Sequence, residues 1–255
     1  MNVRPNFTLR GASNIQEIRS GDVIRYTYWG LSHDGVVVAD SSNKSQQGRL
    51  RVIHYGTDSL ISYRTIKEEN VYFDLRKDSV QVISFTCATL ETEIVIKRAK
   101  SRIGEQRHSI FDNMSCHFVE WAKLGMQPIS QCTTFHGTLH LFNVYTWDEM
   151  KVGCIVEFPY WALNHQGVLT SFDEKKRVMT VIHYGTKGIL ATRTIMKETL
   201  NINLKKDSLK IYRCAKSVTP NDPDVVIANA EERVGEQNWR LGNTSWDFCL
   251  QCLFG

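Results

Sequence analysis

The sequence predicts an α+β protein built twice from one unit, and three observations carry that expectation. Short motifs recur at a nearly constant offset: Val52-Ile53-His54-Tyr55-Gly56-Thr57 returns as Val181-Ile182-His183-Tyr184-Gly185-Thr186, 129 residues later. At the same offset Arg64-Thr65-Ile66 returns as Arg193-Thr194-Ile195, and Lys77-Asp78-Ser79 as Lys206-Asp207-Ser208. Within each copy the apolar period changes once, from strand-like alternation to helical spacing, which is the order of an α+β unit. Finally, 255 residues with 42% hydrophobic and 23% charged content are ordinary for a globular protein. That composition excludes a disordered polar chain, a collagenous repeat and a small disulfide scaffold.

The units are expected at residues 12–125 and 145–255, each large enough to bury its own core. Residues 126–144, with Pro128 and several Ser, Thr and Gly, read as the linker, although Leu139, Leu141 and Phe142 within it call for some packing. In the first unit Asp22-Val23-Ile24-Arg25-Tyr26, Val36-Val37-Val38 and Leu50-Arg51-Val52-Ile53-His54-Tyr55 are rich in β-branched residues and predict strands, with Gly21-Asp22 as turn chemistry before the first. Ile94, Val95, Ala99 and Ile103 fall at helical spacing, as do Val225, Val226, Ala230 and Val234. A further helix is expected over 115–124, matched by 245–253.

A net charge of +4 is too small to predict a nucleic-acid partner. No apolar run is long enough for a spanning helix, and the first residues lack a signal peptide's apolar core, so the expectation is a cytoplasmic chain without a transmembrane segment. Seven cysteines at irregular spacing argue against a secreted disulfide framework.

The histidines are the residues best suited to chemistry. The midpoint of His33 and His54 falls near residue 43, within the turn-rich stretch 40–48, and that of His165 and His183 falls at 174, within Asp173-Glu174-Lys175-Lys176. Residues equidistant from a hairpin turn face each other across antiparallel strands, so each pair is expected to be opposed. Such a pair can bind metal, form a base with its orienting partner, or simply pack. No Cys, Asp or Glu recurs beside both pairs with ligand-like spacing, so neither a metal nor another cofactor is expected. A catalytic or once-catalytic dyad and a purely structural pair both remain open.

The ordered set Gly21-Asp22, His33-Asp34-Gly35-Val36, Val52-Ile53-His54-Tyr55, Ala99 to Glu105 and Cys116 to Gly125 resembles the lecithin retinol acyltransferase (LRAT) domain, a circularly permuted papain-like branch of the NlpC-type thiol hydrolases. The resemblance covers nearly all of both units. It implies tandem domains, each an antiparallel sheet with helices packed on it, and transfer or hydrolysis of lipid acyl groups through an acyl-cysteine, with the first histidine as base and the second as its orienter. It implies in turn a lipid acyl ester, or a membrane surface touched peripherally, as partner; the oligomeric state is not legible.

The departures bear on activity. Where the family's helix opens Asn-Cys-Glu-His-Phe, this chain has Met114-Ser115-Cys116-His117-Phe118 and Thr244-Ser245-Trp246-Asp247-Phe248. Ser115 and Ser245 thus occupy the nucleophile position and Cys116 stands where Glu belongs. A thiol at a helix N-terminus beside histidine ionises readily, whereas a hydroxyl needs concerted deprotonation and a well-formed oxyanion hole. Cys116 is one residue on, turned by ~100° unless the helix register slips. The expectation is therefore a degenerate binding scaffold, with activity through Ser115 or Cys116, His33 and His54 as the alternative. His117 is expected to cap or pack locally. Cys249 and Cys252, spaced like a redox or metal pair, are expected in the core, and the basic run 97–102 on a solvated helix face, with attraction to anionic lipid as its sharper reading.

Overall fold

The computed structural model describes residues 6–39, 46–59, 62–111, 113–125, 130–134, 137–161, 163–186, 188 and 191–255. The chain divides into two compact units, Met1–Gln127 and Pro128–Gly255, and the architecture is α+β with antiparallel sheets and two helices per unit. In the first unit β1 (Phe7–Gly11), β2 (Val23–Tyr28), β3 (Leu31–Ala39), β4 (Gln47–Gly56), β5 (Thr65–Asp74) and β6 (Gln81–Phe85) assemble in the order β1-β6-β2-β3-β4-β5, followed by α1 (Thr92–Ser101) and α2 (Ser115–Leu124).

The second unit has β7 (Ser130–Thr134), β8 (Gly137–Val144), β9 (Ile155–Tyr160), β10 (Leu163–Asp173), β11 (Val178–Gly185), β12 (Thr194–Asn201) and β13 (Leu209–Cys214), then α3 (Pro223–Glu232) and α4 (Ser245–Phe254). Its order, β12-β11-β10-β9-β13-β8-β7, repeats the first with β8 in the place of β1 and β7 added at the edge. Residues 130–134 and 137–144 are therefore strands rather than linker: Leu139 and Leu141 pair with Cys214 and Tyr212 of β13 and are buried. Residues 126–129 of the expected linker, Pro128 among them, and 40–45 of the expected turn lie outside the described residues.

The helices form where the periodicity placed them, but α1 and α3 bury only Val95, Ala99, Val226 and Ala230, while Ile94, Ile103, Val225 and Val234 are exposed. Tyr55 meets Phe118 of α2 edge-on at 6.1 Å, and Tyr184 meets Phe248 of α4 at 5.9 Å, so these tyrosines mark the helix-covered face. Neighbouring residues on a strand point to opposite faces, so His54 and His183 project from the other one. Gly21, at φ +85°, makes the expected turn, and Asp22 accepts there from Arg19 N at 2.8 Å.

The strand register moves the predicted histidine pairing by two residues. Gly35, not His33, lies opposite His54, and His33 faces Tyr26 on β2. An even shift keeps every side chain on its face, so His33 still reaches His54 diagonally. Glycine opposite the second histidine has a steric cause: a Cβ on Gly35 would lie 2.5 Å from Val52 Cγ1 and 3.2 Å from His54 Cβ. Gly167 is equally confined, with His183 Cβ at 3.0 Å.

Candidate functional site

In the first unit His33 Nε2 meets His54 Nδ1 at 3.1 Å, and His54 Nε2 meets Glu69 Oε2 of β5 at 2.8 Å. An ionised carboxylate only accepts, so Nε2 of His54 carries the proton and Nδ1 presents a lone pair. The Tyr26 hydroxyl lies 3.0 Å from that same Nδ1. The β3–β4 ladder ends at Gly35, and the next amide, Asp34 N, donates to Ser115 Oγ at 3.3 Å, which fixes the first residue of α2 against β3. Among the described residues no hydrogen bond joins Ser115 to His33.

The second unit has the same parts joined differently. Ser245 Oγ lies 3.3 Å from His165 Nε2, and His183 Nε2 meets Glu198 Oε2 at 3.0 Å. Phe158 stands where the first unit has Tyr26, and His183 Nδ1 is buried without a hydrogen-bond partner. The rings of His165 and His183 remain in contact, with centroids 5.0 Å apart.

Burial governs the titration of all four imidazoles. Desolvation, reinforced by His54, Arg64 and His108, pushes His33 down to about 3. Desolvation, with His183 and Arg193, does the same to His165, also about 3, and burial takes His183 to about 4. His54 is lowered by burial too, against the opposing pull of Glu69. Burial raises Glu69, but hydrogen bonds from Lys67 and His54 outweigh it and the net direction is down. All four rings are thus neutral near pH 7, and His33 and His165 are weak bases.

The remaining expected residues are placed as follows. Cys116, partly buried, lies in the field of Arg25, which forms a two-pronged ion pair with Asp34 at 2.7 and 2.9 Å. The helix starts at Ser115, so no slip brings Cys116 into the serine's position. His117 is a cap, its Nδ1 accepting from Met114 N at 3.1 Å; Asp247 does the same for Thr244 N at 2.8 Å. Cys249 and Cys252 are buried in the core of the second unit. The run 97–102 is not uniformly solvated, because Arg98 lies 3.9 Å over the Trp121 ring and Arg102 is fully buried.

Arg102 belongs to a support that holds the connection before α2. It donates to Glu105 twice at 2.7 Å and to Asn113 Oδ1 at 2.9 Å, while Tyr55 OH donates to Glu105 at 2.6 Å. Arg233, Glu236 and Tyr184 repeat it in the second unit, where Asn243 donates to Tyr184 OH at 3.0 Å and its Oδ1 does not accept from the arginine. There Gln251 replaces Trp121 as the residue against the arginine, accepting from Arg233 at 2.6 Å, and the ion pair is 22% and 28% exposed instead of 0% and 1%.

Glu69 and Glu198 are not among the residues that the motifs single out. They recur at the 129-residue offset, so the repeat itself holds a signal for them, but spacing along the chain does not say which strand lies beside the histidine strands. Their diagonal reach is the same in both units: Glu69 pairs with Val52 and Glu198 with Val181, each two residues before the histidine. Among the described residues no group of three His, Cys, Asp or Glu is placed to hold a metal ion, and no helix is long and apolar enough to cross a membrane. No protein-family model matches the chain, and no curated protein matches it.

Proposed function

We propose that this protein is a binding scaffold related to lipid acyltransferases and phospholipases of the LRAT type, with catalysis lost in both of its permuted papain-like units. The observation that carries this reading is that the chain of contacts from hydroxyl to base to orienter is interrupted in each unit, at a different link. In the first, His33 is held by His54, and Ser115 Oγ accepts from Asp34 N while, among the described residues, no hydrogen bond joins it to His33. In the second, Ser245 touches His165, but His183 Nδ1 has no partner and does not hold that base. A serine also needs a stronger base than a thiol does, and a histidine held near 3 is a weak one.

A second reading is favoured by one contact, the 3.3 Å approach of Ser245 to His165. Ser245 Oγ would attack an acyl carbonyl and pass its proton to His165 Nε2. The leaving alcohol would take that proton as the acyl-serine bond forms, and water would then release the acid. The two readings separate in an assay of the full chain with a fluorogenic phospholipid and a short acyl thioester. No turnover above the rate of a His33→Ala, His165→Ala double variant is expected. Turnover abolished by Ser245→Ala and by His165→Ala would establish the second reading. Turnover abolished by iodoacetamide and by Cys116→Ala would place it on the thiol instead.

A further inference from the structure

Two partly buried arginines are left without an acceptor. Arg25, Arg102 and Arg233 meet carboxylates, and Arg98 and Arg213 meet backbone carbonyls. Arg64 and Arg193 are partly buried too, yet among the described residues neither meets an acid or any other hydrogen-bond acceptor. They are equivalent residues, each opening an Arg-Thr-Ile triplet 129 positions apart. A charge drawn from water without a partner costs stability, so folding alone does not account for its presence in both copies.

Both stand at the histidine end of their unit. In the second, Gly185 and Thr194 close the β11–β12 ladder, and Arg193 immediately precedes that pair. The Tyr160 hydroxyl donates to Thr186 O and accepts from Thr186 N, both at 3.3 Å, while its ring packs on His165 at 5.3 Å and His183 at 4.8 Å. The end of β11 is thereby tied to both imidazoles. Arg193 is close enough to His165 to disfavour the protonated ring, as Arg64 is to His33. From the other side, Ile195 N donates to Glu236 O at 2.9 Å and Gly235 N to Ile195 O at 2.8 Å, which brings Trp239 to Arg193. The guanidinium carbon lies over the indole, 4.6 Å from its centre. In the first unit the residue three after Glu105 is His108, and Arg64 bears on it in the same way.

The indole holds the guanidinium by its face and leaves the in-plane fork of N–H donors unused. Such a fork binds a planar oxyanion edge-on through two parallel hydrogen bonds. The neighbouring imidazoles are neutral near pH 7, so Arg193 answers one negative charge. One charge and a planar fork fit a free carboxylate. An ester brings no charge to the guanidinium, and a phosphomonoester dianion would stay half uncompensated in a partly dry site.

We infer that the second unit binds a small carboxylate at the mouth of its histidine site, held edge-on by Arg193 beside Trp239. This names a ligand class for that site and rests on the binding reading. The two fail separately, because benzoate, the probe, has no acyl bond for the site to break: turnover of acyl esters would remove the binding reading without touching this measurement. The full chain is titrated at pH 7 and constant ionic strength with benzoate, with benzamide as the uncharged isostere, and with phenyl phosphate. The Trp239 indole N–H and Arg193 Nε–H resonances report binding.

Benzoate is expected to shift both resonances to saturation, with benzamide at least about tenfold weaker. Arg193→Gln should weaken benzoate about tenfold or more, read at the Trp239 indole. Arg177→Gln, at the exposed turn between β10 and β11, should change it less than about twofold. The inference is overturned if benzoate gives no saturable shift, if benzamide binds as well, or if phenyl phosphate binds more tightly than benzoate. It is equally overturned if Arg193→Gln binds like the parent, or no worse than Arg177→Gln. The benzoate and benzamide titrations use the parent chain, so they decide the matter even if Arg193→Gln fails to fold.

Discussion

The two units place the same four functional positions on the same strands and helix, yet they join them differently. The first joins His33 to His54 and leaves the Ser115 hydroxyl on the backbone of β3; the second joins Ser245 to His165 and leaves His183 Nδ1 without a hydrogen-bond partner. One difference lies beside the break. Tyr26 directs a hydroxyl at His54 Nδ1, whereas Phe158 offers His183 only a ring edge, with centroids 5.5 Å apart at 77°. The supports diverge as well, because Trp121 seals the Arg102–Glu105 pair and Gln251 leaves Arg233–Glu236 partly wet. Two units can thus share backbone geometry while their polar side chains are joined differently, since a sheet register is fixed by packing and not by the side-chain contacts it carries.

The largest expected effect is common to both units and tests whether their histidines are equally dry. Each imidazole binds its proton more weakly folded than unfolded, so the unfolded chain takes up more protons once pH falls below the ordinary value of 6.5. The stability these groups contribute is complete above 6.5 and is lost as pH falls towards about 3 for His33 and His165 and about 4 for His183. NMR titration of the imidazole Cε1 protons reads this directly. A histidine titrating near 6.5 in the folded chain would mean that its site is wet, and would separate the two units.

Next in size is the support beneath each helix. Glu105→Gln leaves a sealed guanidinium without its counter-charge and should cost about 3–5 kcal/mol, while Glu236→Gln at the partly exposed pair should cost about 1 kcal/mol or less. Denaturant unfolding of the two full-length variants measures the difference. Equal losses would show that Trp121 does not set the energetic distinction between the units.

The smallest effect sharpens the comparison at the orienter. Phe158→Tyr would supply the hydroxyl that Tyr26 gives the first unit, and should stabilise the second by about 1 kcal/mol by satisfying His183 Nδ1. Tyr26→Phe should cost a similar amount or less, because His54 Nδ1 keeps His33. If Phe158→Tyr destabilises the chain, the hydroxyl finds no room there and the two pockets differ in shape as well as chemistry.

By itself the sequence determined that there are two copies, that strands precede helices in each, and that the same histidine and serine positions recur in both. Repetition and periodicity are local signals, and His33, His54, Ser115 and their counterparts sit inside motifs that recur as units. Only the tertiary structure decided which contacts close. A register shift of two residues put Gly35 opposite His54, strands β5 and β12 swung Glu69 and Glu198 beneath the orienting histidines, and β8 took up residues that read as linker. It also decided that Ser115 turns to Asp34 N and Ser245 to His165. A hydrogen bond depends on the position of two side chains to within tenths of an ångström, and that is set by the packing of residues far apart in the chain, to which spacing along a sequence is blind.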